Sequence, residues 1–445
     1  MCLKRSPART PATVDPPTER RTIESIFALI VPITAADYIT FVMAFWGCGK
    51  LGAFVSHIGY NWESEISRRI DMNSSFGKVA LALIAVGLPL ISVDACTAIL
   101  VGKKASATGS VLVGHNLDTS GAIIRYAMFT KRDGKPAMFW DEGKKVAGND
   151  KVSHLFCNEY GVMVTSNNGG VQKEWDGVKY SLPKEGKYSS LKDGGLGYML
   201  RVRMIEKAKS AREAVRIMAE LLEEYGYNQL SRNFLIADSE EAWVFSALYG
   251  RRFAARRVPD DAVCVFPNCL VVNKLQEGDV VSESFKGKGP DFDMIAAYQG
   301  PRTWKSPYNY YRMKEMYRIV AGVKVEDGLA EYPFSMLPAH KITVEDIKRG
   351  LCSHYEGQSF EVKKRHPVKN PKIIAPICRN TTIEALVCEM MPKLKDIKFH
   401  MTVGRPCEVP YSTYQPFAGI LPPGTVFNEA AEERLKKYIL PLSKQ

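Results

Sequence analysis

Cys96 carries the most distinctive chemistry in this sequence. It follows Ser92-Val93-Asp94-Ala95, and a cut after Ala95 would leave a 350-residue chain beginning with cysteine. A cysteine at a chain start supplies a nucleophilic thiol and a free α-amino group together. The amine titrates near about 7.7–8.0 and the thiol near about 8.5, so the amine can take the thiol proton near neutral pH. One residue then provides nucleophile and base. Two other fates suit the same residue: an ordinary buried cysteine, or lipid attachment after the cut, for which Asp94 is an awkward neighbour. A thiolate that attacks a carbonyl also needs donors for the oxyanion and groups that hold it in place.

The segment before Cys96 has the grammar of an export signal. Met72 to Lys78 is short, polar and basic, Val79 to Ile91 is an apolar run, and Ser92 to Ala95 resembles a cleavage site. A buried helix is the competing reading of that run. Translation from Met72 would leave residues 1–71 as an over-extended start or a dispensable tail. Their apolar stretch, Ile26 to Phe54, has Asp37 near its middle and makes a poor membrane span. The domain expectation is therefore 1–71 as an extension, 72–95 as signal peptide or propeptide, and 96–445 as one domain. An exported, periplasmic or extracellular location follows if the signal is real, and a cytoplasmic one otherwise.

The elements from Cys96 onward read as α+β. Ala98–Val101 with Val111–Gly114 reads as a hairpin, and further strands are expected over 123–130, 137–140, 152–156 and 161–165. Apolar spacing of three and four predicts two helices between Gly194 and Tyr225, broken near Ser210. Strands are expected again over 234–237, 242–248, 263–266 and 270–272. Helices follow over 310–321 and 343–351, then strands over 382–391 and 398–404 and a last helix over 428–438.

Composition excludes several function classes. The chain of 445 residues is 46% apolar and 24% charged, which rules out a disordered or low-complexity protein. Net charge is +12, of which +11 lies from Cys96 onward, but no basic run or aromatic-interleaved stripe marks a nucleic-acid site. No H-E-x-x-H, P-loop, G-x-S-x-G or zinc-spaced Cys/His cluster occurs, and the 7 histidines are scattered. Cys264 and Cys269 lack a second pair to complete a zinc site. After Cys96 seven cysteines remain, an odd number that mildly disfavours a strongly oxidising compartment.

Several stretches resemble one family. Cys96 to Gly121 (CTAILVGKKASATGSVLVGHNLDTSG) is similar to the mature start of the N-terminal-nucleophile cysteine dipeptidases of the dipeptidase A type. Secernins and the penicillin and bile-salt amidases are more distant relatives. AREAVRIMAELLEEYG (211–226), FLIADSEEAWVF (234–245), RRVPDDAVCVFPN (256–268), SHYEGQSF (353–360), ICRNTTIEALV (377–387) and GRPCEVPY (404–411) also look like family segments, in family order.

The resemblance implies a four-layer αββα sandwich and hydrolysis of dipeptides through a thioester on Cys96, with no metal or organic cofactor. It implies that Asp118 holds the α-amino group and that the Asn268 amide helps form the oxyanion hole. Asn167 or Asn168 is a second oxyanion candidate. Arg312 is the candidate distal arginine, with Arg318 as the competing match. His115 stands where many relatives have arginine. As a cation it would lower the thiol pKa, and otherwise it is structural. His354 and Glu356 are taken as loop residues. The expected partners are small peptides, with no nucleic acid and no membrane span in the mature chain; a homo-oligomer stays open. The alternatives are a linear amide hydrolase or acyltransferase of the same fold, or an anchored protein acylated at Cys96.

Overall fold

Two stacked sheets carry the residues singled out above. The computed structural model describes residues 96–427, apart from 120–121, 131–134, 146–150, 153, 171–190, 198, 230, 300–303, 364–365 and 367–374. The proposed signal segment, the extension before it and the expected helix over 428–438 lie outside the described residues.

The strands are β1 (Thr97–Val101), β2 (Val111–Asp118), β3 (Ala122–Thr130), β4 (Pro136–Lys145), β5 (Lys151–Val152), β6 (Phe156–Asn158) and β7 (Met163–Asn168). Helices α1 (Met199–Ile205) and α2 (Ala211–Tyr225) follow, then β8 (Arg232–Ala237), β9 (Ala242–Leu248), β10 (Arg252–Arg257), β11 (Val263–Phe266) and β12 (Val280–Val281). The rest comprises α3 (Met294–Tyr298), α4 (Pro307–Met316), α5 (Val344–Cys352), β13 (Thr382–Met390), β14 (Lys398–Val403), β15 (Ser412–Tyr414) and β16 (Val426–Phe427).

The first sheet runs β11-β1-β2-β13-β14-β15 and is antiparallel throughout. The second runs β12-β10-β9-β8-β7-β6-β4-β3-β16, with β5 added on β4. Their facing sides meet in one core, where Phe139 of β4 lies 5.2 Å from Phe399 of β14. Helix α5 covers the outer face of the first sheet against β2 and β13. Helix α2 covers the outer face of the second, burying Ala211, Ala214, Val215, Ile217, Met218 and Leu222 at helical spacing. The order helix, sheet, sheet, helix is the expected αββα sandwich.

Local chemistry sets the element ends. The Ser210 hydroxyl accepts from the Glu213 N–H and starts α2, at the break expected there. Thr343 and Asp346 form a reciprocal capping box that starts α5. Gly114 lets α5 approach β2, since a Cβ there would fall 2.5 Å from Ile347 Cγ2 and 2.6 Å from Ile99 Cγ2.

Two expectations change, and one strand was not foreseen. Leu270–Val272 is buried but pairs in no strand: Leu270 N–H donates to the Gln299 side chain, so the backbone is satisfied outside a ladder. Arg252–Arg257 is a strand despite its three arginines. It lies next to the edge of its sheet, and the Arg256 guanidinium is taken up by Asp279 and Asn273. The expected helix over 310–321 is α4 followed by a wider turn over Tyr317–Ala321, closed by Gly322 in the left-handed region.

Candidate active site

β1 begins immediately after Cys96, so the central hairpin fixes the cysteine at a strand end. Thr97 pairs with Asn116 and Ala98 with His115, which brings Asp118 of β2 to the same end of the sheet. Cys96 is buried, at 5% exposure. Its carbonyl oxygen accepts from Arg312 Nη1 at 2.8 Å and from Asn167 Nδ2 at 3.3 Å.

Arg312 is the hub. It projects from α4, is fully buried, and also donates to Thr97 Oγ1 at 3.2 Å, Asn268 Oδ1 at 3.1 Å and Asn309 Oδ1 at 2.7 Å. Burial lowers its pKa from the ordinary value. Arg318 instead pairs with the buried Glu315 at 2.9 Å, so the choice between the two arginines falls on Arg312 by geometry.

The Asn268 amide is oriented by its partners. Its oxygen is taken by Arg312, which turns the NH2 end away from the guanidinium. That end reaches the Asn168 carbonyl only at 3.5 Å, a weak bond that a better acceptor could displace. Asn309 Nδ2 holds the Asn268 carbonyl at 3.2 Å.

Asn167 is committed differently. Its oxygen accepts from His115 Nε2 at 2.8 Å, and its Nδ2 donates to the carbonyls of Cys96 and Phe266. The two ends of this amide tie β7 to β2, to the start of β1 and to β11. Asn168 Oδ1 accepts from the Gly170 N–H at 2.8 Å, which leaves its amide nitrogen as the end for a ligand.

Asp118 is fully buried. It accepts from Thr382 Oγ1 at 2.6 Å and forms an ion pair with Arg379 at 3.2 Å. Arg379 donates to Tyr308 OH at 2.6 Å, and the Arg379 and Arg312 guanidiniums both lie over the Tyr308 ring, 5.0 and 4.6 Å from its centre. Arg379 and Asn309 were not singled out by sequence. Arg379 lies within the family-like ICRNTTIEALV segment, and that was the available signal. Replacing Arg379 by Met would leave the Asp118 carboxylate buried without its cation. We expect a loss of about 3–5 kcal/mol of stability, read from chemical denaturation.

His115 does not supply a cation. Burial, with the positive charges of Arg201 and Arg232, brings its pKa down to about 4 against a raising contribution from Asn167. Burial thus disfavours the charged form that a thiolate-stabilising His115 would need, and its Nε2–H donates to the Asn167 oxygen. The same shift predicts a pH effect on stability. Between about 4 and 6.5 the unfolded chain binds a proton that the folded chain refuses. This contribution is full above the ordinary value and is lost as pH falls. At pH 4.5 it amounts to about 2–3 kcal/mol. His154 contributes with the same sign and Asp141, raised to about 7 mainly by burial, with the opposite sign. Comparing His115→Gln with wild type at pH 7 and 4.5 isolates the His115 share: the variant should lose less stability on acidification by that amount.

No helix among the described residues is long and apolar enough to cross a membrane. His354, His366, Cys378 and Cys407 converge below β13, a grouping that spacing along the chain does not display.

Residues 190–403 match the model of Peptidase family C69. The chain is 25% identical over 301 residues to "Probable dipeptidase B" of Lactococcus lactis, covering 60% of this chain and 62% of the relative. It is 25% identical over 329 residues to "Dipeptidase" of Bifidobacterium longum, covering 60% of each. The match thus spans about six-tenths of the length of these curated relatives. A conjugated bile acid hydrolase structure from Clostridium perfringens is 10% identical with a TM-score of 0.34, over 75% of this chain and 99% of that one. The chain is thus similar to Peptidase family C69 over residues 190–403, and to curated dipeptidases over about six-tenths of its length.

Proposed function

We propose that this protein is an exported dipeptidase that hydrolyses dipeptides through a thioester on Cys96, after cleavage of the Ala95–Cys96 bond. The observation that carries the reading is the convergence of Arg312 and Asn167 on the Cys96 carbonyl, with Asn268 held by Arg312, at the strand end where Asp118 lies. The C69 match and the dipeptidase names of the relatives support the substrate class.

The chemistry runs as follows. The α-amino group of Cys96 takes the thiol proton, directly or through water. Sγ attacks the peptide carbonyl carbon, and the oxyanion is held by Asn268 Nδ2, with Asn168 as second donor. Collapse breaks the C–N bond, and the protonated α-amine gives its proton to the leaving amine. Water then attacks the thioester, releasing the acid and restoring the thiol. Asp118, held by Thr382 and Arg379, places negative charge near the strand end and orients the α-ammonium. Arg312 fixes the Cys96 carbonyl and the Asn268 amide together.

The test is N-terminal sequencing and intact mass of protein from its native compartment, followed by dipeptide assays. A chain starting at unmodified Cys96 that releases free amino acids from dipeptides supports the reading. A chain that keeps Met1 or Met72, or carries lipid on Cys96, has no amine beside the thiol and overturns it.

A further inference from the structure

Four side chains outside the Cys96 site come together from four separate stretches: the residues just past α5, the loop at 366, the lead-in to β13 and the loop after β14. We propose that His354, His366, Cys378 and Cys407 bind a structural Zn(II) ion through two imidazole Nε2 atoms and two thiolates.

The spacing of the donor atoms fits this ion. All four lie within 4.8 Å of one another. Zinc bonds of about 2.3 Å to sulfur and about 2.0–2.1 Å to nitrogen give tetrahedral edges of about 3.8 Å (S–S), 3.6 Å (S–N) and 3.3 Å (N–N). The observed separations are 3.4 Å for Cys378 Sγ to Cys407 Sγ and 3.0 Å for His354 Nε2 to His366 Nε2. His366 Nε2 lies 3.6 Å from Cys378 Sγ and 3.2 Å from Cys407 Sγ. Each is within about 0.4 Å of its tetrahedral edge. A Cys2His2 donor set with two soft sulfurs selects zinc over magnesium or calcium.

A second observation is independent of those distances. His354 Nδ1 lies 2.9 Å from Glu356 Oε1, and His366 Nδ1 lies 3.1 Å from Glu408 Oε1. A carboxylate only accepts, so both Nδ1 atoms carry the hydrogen. In neutral rings both Nε2 lone pairs then point into the same small space, 3.0 Å apart. A cation between them removes that repulsion, and the carboxylate–histidine pairs are the outer contacts that orient metal-bound imidazoles.

Binding is a proton exchange and not a redox step: two Zn–S bonds form and the two thiol protons leave to solvent. Four protein donors close the coordination sphere, which makes the ion structural. Its place gives it a job. Cys378 N–H donates to the Ser353 carbonyl at 3.1 Å, and Cys378 is bonded to Arg379, the partner of Asp118. The ion therefore clamps the end of α5, the start of β13 and the loop after β14 beside the charge relay to Asp118.

The experiment uses full-length protein produced with added zinc and desalted without chelator. Elemental analysis should find about one zinc per chain, and the Cys378→Ser/Cys407→Ser variant should hold at least about tenfold less. Replacing the ion by Co(II) in wild type should give a thiolate-to-cobalt charge-transfer band. This readout does not depend on whether the variant folds. Cys96→Ala should retain the zinc, which separates this result from the dipeptidase reading. Wild type that melts cooperatively with under about a tenth of a zinc per chain and no cobalt band would overturn the proposal. So would a Cys378–Cys407 disulfide found by non-reducing peptide mapping.

Discussion

Cys96→Ala should lower dipeptide hydrolysis by at least about 10⁴-fold while the fold persists, because no other described thiol can replace it. Three of the remaining cysteines are set in the opposite chemical state. Burial pushes the thiols of Cys157, Cys264 and Cys269 far up, so they stay protonated and inert. The methyl group of alanine fits the same strand end, and the Cys96 carbonyl still accepts from Arg312 and Asn167, since that contact is backbone. Stability should therefore stay within about 1 kcal/mol of wild type. Cys96→Ser should leave little activity, because an alcohol is a far weaker nucleophile than a thiol beside an amine of ordinary basicity. The measurement is single-turnover hydrolysis of a dipeptide by chains whose N-terminus has been verified by mass. Full activity in Cys96→Ala would remove the proposed mechanism.

Asn268→Ala should lower kcat by about 10²–10³-fold with KM little changed, the signature of a donor used mainly in the transition state. Arg312 keeps its bonds to the Cys96 carbonyl and Thr97 in this variant, so melting should change little. Asn268→Asp is the sharper comparison. An aspartate could still accept from Arg312 and would preserve the fold better than alanine. It would also place a carboxylate where the oxyanion develops, so it should be the slower enzyme of the two. If Asn268→Asp is faster than Asn268→Ala, or if Asn268→Ala costs less than about tenfold, the oxyanion assignment is wrong.

Several features of this protein are legible in the residues alone. The hairpin of β1 and β2 reads from short apolar β-rich runs and a glycine turn, because a sheet buried on both faces writes near-continuous apolar runs. The helix break at Ser210 reads from a capping serine, since N-cap chemistry is local. Cys96, Asp118 and Asn268 could be nominated because each sits in a short stretch resembling a family, and the pairing of β1 with β2 and β11 then brings them to one end.

What tertiary structure alone decided is what each group faces. Histidine at 115 is compatible with a cation or a neutral donor, and burial, with Arg201 and Arg232 nearby, disfavours the cation. Asn167 and Asn168 are adjacent and alike in sequence, yet strand pleating sends the first into contacts with His115, Cys96 and Phe266 and leaves the second at the strand end. Arg312 and Arg318 lie on the same stretch, and only the first turns toward Cys96. The His354, His366, Cys378 and Cys407 group has no motif spacing at all, because its members are joined by the folding of loops around α5 and β13. Local propensity is written along the chain; electrostatic state and convergence depend on neighbours brought from tens to hundreds of residues away, and those exist only once the sheets have paired.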